Sequence, residues 1–299
     1  MERLRQDDPP QIGPYITLAR LDAESTQRTV PDRRFIARSA DGDRTVIVCV
    51  PRIGADSSRW AVEAEGARRL SIPGLLPVTE VGGTSGFPWR TSAYVPALPL
   101  PAALAAHDGP LPEPVVRSLG AALAQMLATA HAQGVAHAGL SPAAVLLTAE
   151  GPRLACFGAV RSAGPDGEQR AGHPGLDSGS LAPEQAQGGR PRPLGDVYAL
   201  GAVLSYACSG HTVPERDELP LSLRRLITAC LARDPAERPQ AHQILAELAP
   251  PALTAAPQAT VLDAAAPALL PALVVAALVR QSAEILAAEL PTPTALNLD

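Results

Sequence analysis

Short apolar runs rich in β-branched residues fill the first third of the chain. Tyr15–Leu21, Arg34–Arg38, Thr45–Val50, Leu75–Val81 and Arg90–Val95 read as strands, parted by turn signals such as Asp41-Gly42. One helix interrupts them: Ser58–Leu70, opened by Ser57 and Ser58, carries Trp60, Ala64, Ala67 and Leu70 at helical spacing. From about Leu100 the apolar period becomes helical. Glu113–Ala132 is the longest such segment, with Val116, Leu119, Leu123, Met126, Leu127 and His131 on one stripe, and Val197–Ser209, Leu221–Leu231 and Ala241–Leu248 follow. The change of period predicts an α+β protein with a small β-rich lobe over residues 12–98 and an α-rich lobe over 99–249. Residues 1–11 are polar with a Pro pair and read as a tail; 250–267 form an Ala/Pro linker, 268–290 a last helix and 291–299 a second tail.

Composition narrows this picture. The 299 residues are 46% hydrophobic but only 3% aromatic, so the core must be built from Leu, Val, Ile and Ala. A net charge of −5 gives no basic surface for nucleic acid. Ala264 to Val279 is uncharged, but it contains Pro267 and Pro271, closes at Arg280, and falls short of the roughly 20 residues a bilayer span needs. A docked or interfacial helix is the expectation there, and a membrane partner is not. Cys49, Cys156, Cys208 and Cys230 are widely spaced, and the N-terminus is charged throughout, which fits a reduced, cytoplasmic setting. His107, His131, His173, His211 and His242 show no metal-ligand or triad spacing. Two absences matter more than any average: the chain has no Lys, and its only Asn is Asn297.

The stretch from Val135 through His137, Gly139, Ser141 and Ala144 to Leu147, followed by Leu154-Ala155-Cys156-Phe157-Gly158, resembles the catalytic and metal loops of bacterial, actinobacterial-like Ser/Thr protein kinases of the eukaryotic type. Leu181-Ala182-Pro183-Glu184 is similar to the family's A-P-E motif, Gly195–Gly201 to the helix after it, and Asp234-Pro235-Ala236-Glu237-Arg238-Pro239 to its late D-P-x-x-R-P turn. Each match alone is weak, but their order and spacing over residues 12–249 are specific. The resemblance implies the two-lobed kinase fold. It also implies three architectural contacts: Glu184 with Arg238, Asp196 with the backbone of the catalytic loop, and His137 stacked on Phe157.

The same alignment places the family's chemical groups on residues that cannot perform them. Phosphoryl transfer depends on positioned charge. The phosphate-pairing lysine aligns with Cys49, the catalytic aspartate with Gly139, the following lysine with Ser141, the metal-binding asparagine with Ala144 and the metal-binding aspartate with Cys156. Without any Lys, no realignment restores the first. The segment Leu21–Arg28 replaces the glycine-rich phosphate loop without one glycine and brings Asp22 and Glu24 to where phosphates would sit. Glu63, the helix glutamate, keeps its place but loses its lysine, leaving solvent or a nearby Arg as partner. Val48, Ser92, Tyr94, Val95 and Leu146 are the remaining residues expected around the vestigial cleft. The threonine expected before A-P-E aligns with Asp177, and Gly210–Pro220 is too short for the family's peptide-docking helix.

The resemblance therefore implies a degenerate kinase, a pseudokinase: no catalytic residues retained, no ATP or Mg²⁺ expected, no metal site. Its partner would be another protein, an active kinase or its substrate. Cys49 and Cys156 would face each other across the cleft as small apolar fillers, with a redox or soft-metal site as the other reading. Two further alternatives stay open: a divergent Ser/Thr kinase with residual ATP binding and phosphotransfer, and a membrane-associated structural component using residues 264–290.

Overall fold

A computed structural model describes residues 1–249 and 270–289. The upper lobe is built from β1 (Gln11–Ile12), β2 (Tyr15–Arg20), β3 (Asp32–Ser39), β4 (Thr45–Pro51), α1 (Ser57–Arg68), β5 (Glu80–Thr84) and β6 (Phe87–Ala93). Its six strands form one antiparallel sheet in the order β1-β2-β3-β4-β6-β5. Alternation along β4 sorts its side chains. Val46, Val48 and Val50 pack with Ile12, Tyr15, Phe35 and Ala37 on the outer face, while Ile47 and Cys49 join Ile36, Trp60 and Ala64 in the main core. Val48, expected in the cleft, thus lies on the opposite side of the sheet. Its place is taken by Ile47, one residue away and one face over.

Three expectations for this lobe are corrected. Residues 1–11 are no tail: Glu2 pairs with Arg20 through both backbone groups (2.9 and 2.8 Å), and the buried Asp8 accepts from the guanidinium groups of Arg20 and Arg33. Burial alone would raise the Asp8 carboxyl, but hydrogen bonds from Arg20, the Arg5 amide and Arg33 hold it below the usual range. Leu75–Val81 is not a strand. Instead Leu76 N–H donates to the Leu154 carbonyl of the lower lobe at 2.8 Å, and the strand begins only at Glu80. Finally, α1 is capped by Asp56, whose carboxylate accepts from the Ser58 and Arg59 amides, both at 3.0 Å, rather than by the serines that follow it.

The lower lobe continues with β7 (Leu98–Pro99), α2 (Leu100–His107), α3 (Glu113–Ala132), β8 (Val145–Thr148), β9 (Gly151–Leu154), α4 (Ala159–Ala163), α5 (Pro183–Ala186), α6 (Pro193–Ser209), α7 (Leu221–Cys230) and α8 (Ala241–Leu248). The stripe on α3 packs against α6 and α8. Gly120 lets Leu204 and Leu248 approach the helix more closely than a Cβ would allow. The last described helix, α9 (Ala272–Ala287), lies along α2. Two polar contacts fix it: Gln281 Oε1 accepts from the Ala97 amide in the connection between the lobes at 2.8 Å, and Arg38 on β3 donates to the carbonyls of Ile285 and Ala288. The expected linker, 250–267, lies outside the described residues. No helix among the described residues is long and apolar enough to cross a membrane.

Candidate functional site

Two polar networks meet where the lobes join. The lower one is a frame around the catalytic-loop segment. Asp196, buried near the start of α6, accepts from the His137 amide at 2.7 Å and the Ala138 amide at 2.8 Å, with His131 Nε2 3.0 Å away. Ala138 is held at φ 53°, a left-handed conformation unusual for alanine, and Asp196 anchors its amide. His137 stacks edge-on against Phe157, with ring centroids 5.8 Å apart at 88°. Burial pushes His137 down to about 4, so the ring is neutral at physiological pH. Below it, Arg238 forms a two-pronged pair with Glu184 (2.7 and 2.8 Å) and also donates to the carbonyls of Ala232, Leu194 and Arg233.

The upper network fills the cleft itself. Arg34, on β3, points inward alongside Ile36 because side chains alternate along the strand. Its guanidinium pairs with Asp22 through two nitrogens, donates to the Ala143 carbonyl of the lower lobe at 2.9 Å and lies 3.8 Å from Cys156 Sγ. Burial opposes its charge, but the Asp22 carboxylate outweighs burial and raises the guanidinium above its ordinary value. Asp22 is therefore buried and neutralised rather than facing open space. Glu24 turns outward, starts a short 3₁₀ turn (Glu24–Thr29) and meets Arg5 at 3.0 Å. A second buried pair lies beside the first. Arg90, on β6, donates to Asp32 at 2.6 Å, Trp60 Nε1 donates to the other Asp32 oxygen at 2.6 Å, and the Arg90 guanidinium lies over the Trp60 ring.

Cys49 and Cys156 line this space together with Arg34, Arg90, Ser92 and Leu146. Burial pushes the Cys49 thiol up to about 11 and that of Cys156 to about 12, so both stay protonated and unreactive at neutral pH. The remaining cavity measures about 20 Å³, room for a water molecule. Gly139 packs so closely that an added Cβ would overlap the Cys156 carbonyl oxygen. Ser141 lines a second cavity of similar size with Asp177, and Ala144 is fully buried. Tyr94 and Val95 lie half-buried in the connection between the lobes and do not line the cavity. Glu63 has found an arginine: Arg161 Nε donates to it at 2.8 Å, while Arg161 also reaches the Ala136 carbonyl and covers the Phe157 ring. The activation-segment region is folded inward as well. Arg170 is buried against the carbonyls of Gly164 and Gly189, and the Gly175 amide donates to the Arg28 carbonyl of the upper lobe.

The chain is 34% identical over 272 residues to the probable serine/threonine-protein kinase PkwA of Thermomonospora curvata, covering 83% of this chain and 35% of that protein. It is 32% identical over 275 residues to the serine/threonine-protein kinase AfsK of Streptomyces coelicolor, covering 84% and 33%. The crystal structure of the Mycobacterium tuberculosis PknI kinase domain superposes with a TM-score of 0.60 at 22% identity, over 80% of this chain and 96% of that one. The chain belongs to the bacterial Ser/Thr protein-kinase family. No protein-family model matches it, and it spans about a third of the length of the curated relatives named above.

A protein kinase implies a nucleotide with Mg²⁺, and the residues here do not fit that ligand. Arginine is a good phosphate partner, yet Arg34 and Arg90 are each already matched by a buried carboxylate. Cys156 offers a thiol where Mg²⁺ takes oxygen. Among the described residues no group of three His, Cys, Asp or Glu side chains is placed to hold a metal ion. The missing groups are legible in the sequence, whereas Arg34, Arg90 and Asp32, which occupy their space, lie in no motif. The signal was available in the strand period: Arg34 shares a face with Ile36, and an inward arginine requires a buried acid.

Proposed function

We propose that this chain is a pseudokinase module, a kinase-fold protein that acts by binding another protein and not by phosphoryl transfer. The observation that carries the reading is Arg34, which bridges the Asp22 carboxylate, the Ala143 carbonyl and the neighbourhood of Cys156, and so spans the cleft from upper to lower lobe. It occupies the volume between the positions of the phosphate loop, the metal aspartate and the metal asparagine. On this reading the protein needs neither ATP nor Mg²⁺, and the closed form is its resting form. The partner is another protein, an active kinase or its substrate, met in a reducing cytoplasmic setting; nucleic acid and membrane are not partners.

A thermal-shift titration of the purified protein with ATP and ADP, each with and without Mg²⁺, tests it, because a ligand that binds only the folded state raises the melting temperature. No shift at millimolar nucleotide is expected. A Mg²⁺-dependent shift, followed by phosphate transfer from labelled ATP, would overturn the proposal and make the protein a divergent kinase.

A further inference from the structure

At one end of the upper-lobe sheet β2 leaves, β3 begins and β4 ends, and the N-terminal segment runs beside them, bridged to β2 by Glu2 and Arg20. These segments surround a cavity of about 160 Å³, against about 20 Å³ left in the cleft. An apolar void of about 150 Å³ takes a benzene ring, so this one has room for a ligand of about six to eight non-hydrogen atoms.

Its charged lining is unbalanced. Arg5, Arg20, Arg33, Arg34 and Arg52 present five guanidinium groups against the three carboxylates of Asp7, Asp22 and Asp32. Arg34 is matched by Asp22, and Asp32 by Arg90, which does not line the cavity. The Asp7 side chain is 73% exposed and comes no nearer to Arg20 than 4.0 Å. A single buried carboxylate outside the lining, Asp8, serves both Arg20 and Arg33. Positive charge therefore converges on Arg33 and Arg52. Arg52 donates to the Val30 carbonyl at 2.9 Å. Burial, and after it the charge of Arg33, press its guanidinium below the ordinary value, and Asp32 offsets this only in part. An anion held by both arginines relieves that repulsion, and a guanidinium fork takes a carboxylate on two nitrogens.

Two further features narrow the anion. Val30, Phe35 and Ile53 give the cavity an apolar side, which suits a hydrocarbon body better than a compact inorganic ion. Arg5 is held by surface acids, Glu24 at 3.0 Å and Glu2 at 3.6 Å, contacts weak enough for a ligand carboxylate to displace. The lining thus matches two carboxylates joined by a few apolar carbons.

We propose that this cavity binds a short aliphatic dicarboxylate of the size of succinate or glutarate, one carboxylate held by Arg33 and Arg52 and the other by Arg5. Asp32 and Arg34 are the wall it shares with the plugged cleft, and a nucleotide far exceeds its volume.

Calorimetric titration of the full chain near neutral pH, at constant ionic strength and two temperatures, reads the outcome. Succinate or glutarate should bind once per chain with a Kd of about 0.1–1 mM. Butyrate, with one carboxylate, and inorganic phosphate, with no hydrocarbon body, should each bind at least about tenfold more weakly. Arg33→Gln and Arg52→Gln should each weaken succinate about ten- to hundredfold through loss of a charge-assisted partner. Ile53 is 86% exposed, so Ile53→Asp folds whatever becomes of the arginine variants. The carboxylate it adds at the cavity should weaken succinate at least about fivefold. An unchanged melting temperature without ligand shows that each variant is folded. No binding of either dicarboxylate at about 10 mM would overturn the proposal. So would succinate binding unchanged by Ile53→Asp, or phosphate binding as tightly as succinate, which would mark a site for inorganic anions.

Discussion

The frame beneath the catalytic loop and the plug inside the cleft use the same groups, arginines and carboxylates, under different conditions. In the frame, Arg238 is buried but Glu184 keeps about a third of its side chain in solvent, and three backbone carbonyls share the guanidinium. In the plug, Arg34 and Asp22 are both nearly withdrawn from water, with side-chain exposures of 1% and 7%. The frame's partners sit at the motif positions of a working kinase. The plug's arginines and acids come from strand and loop positions outside any motif, drawn into space that a lysine, an aspartate and an asparagine would otherwise share with a ligand. Architecture can thus persist where the family's charged groups are absent, provided every charge left in the cleft finds a partner.

The sharpest test of this contrast removes one acid from each network. Asp22→Ala leaves a buried guanidinium without its carboxylate and should cost about 3–5 kcal/mol in urea unfolding. Glu184→Ala should cost less, about 2–3 kcal/mol, because Arg238 retains its carbonyl acceptors. The reverse order would break the comparison. Replacing the plug pair together, Asp22→Leu with Arg34→Met, should return stability to within about 1 kcal/mol of wild type. It should also speed amide exchange around Ala143, since the bridge between the lobes is gone.

A smaller effect comes from rebuilding. Gly139→Ala, the first atom of a restored catalytic side chain, meets the Cys156 carbonyl and should destabilise by about 2 kcal/mol, read as a lower urea midpoint. If it is neutral, the loop is not held where it is seen.

The frame carries a pH dependence through His137. His137 titrates near 4 when folded and near 6.5 when unfolded, so the unfolded chain takes up the proton first and acid favours unfolding. Between pH 7 and pH 5 this group should remove about 2 kcal/mol of stability, with the loss levelling off only below the folded value of about 4. His137→Phe should flatten that part of the profile in paired denaturation curves. Smallest of all, Ala138→Gly should stabilise by about 1 kcal/mol by relieving a left-handed alanine, provided Asp196 still accepts its amide. A loss instead would show that the cost of ordering a glycine outweighs the strain relieved.

Much of this could be read along the chain. The switch of apolar period near Leu100 announced the two lobes, and the spacing of His137, Phe157, Glu184, Asp196 and Arg238 marked the frame, because those contacts follow from motifs whose geometry repeats. The N-terminal residues look like a tail in sequence because their polarity conceals pairing: Asp8 is hydrophilic in sequence and buried between two arginines in space. His131 was assigned no chemistry, since its approach to Asp196 joins residues 65 apart. Val48 is expected around the cleft, but the alternation of a strand puts it on the face opposite Ile47 and Cys49.

The sequence by itself determined which groups are absent: with no lysine and one distant asparagine, no fold could supply them. Tertiary structure alone decided what replaced them, because an arginine's partner is chosen by distance in space. Arg34 and Asp22 lie 12 residues apart and Arg90 and Asp32 58, brought within hydrogen-bonding reach by the folding of the upper-lobe sheet, while Arg34 and Ala143, 109 apart, meet only where the two lobes close on each other.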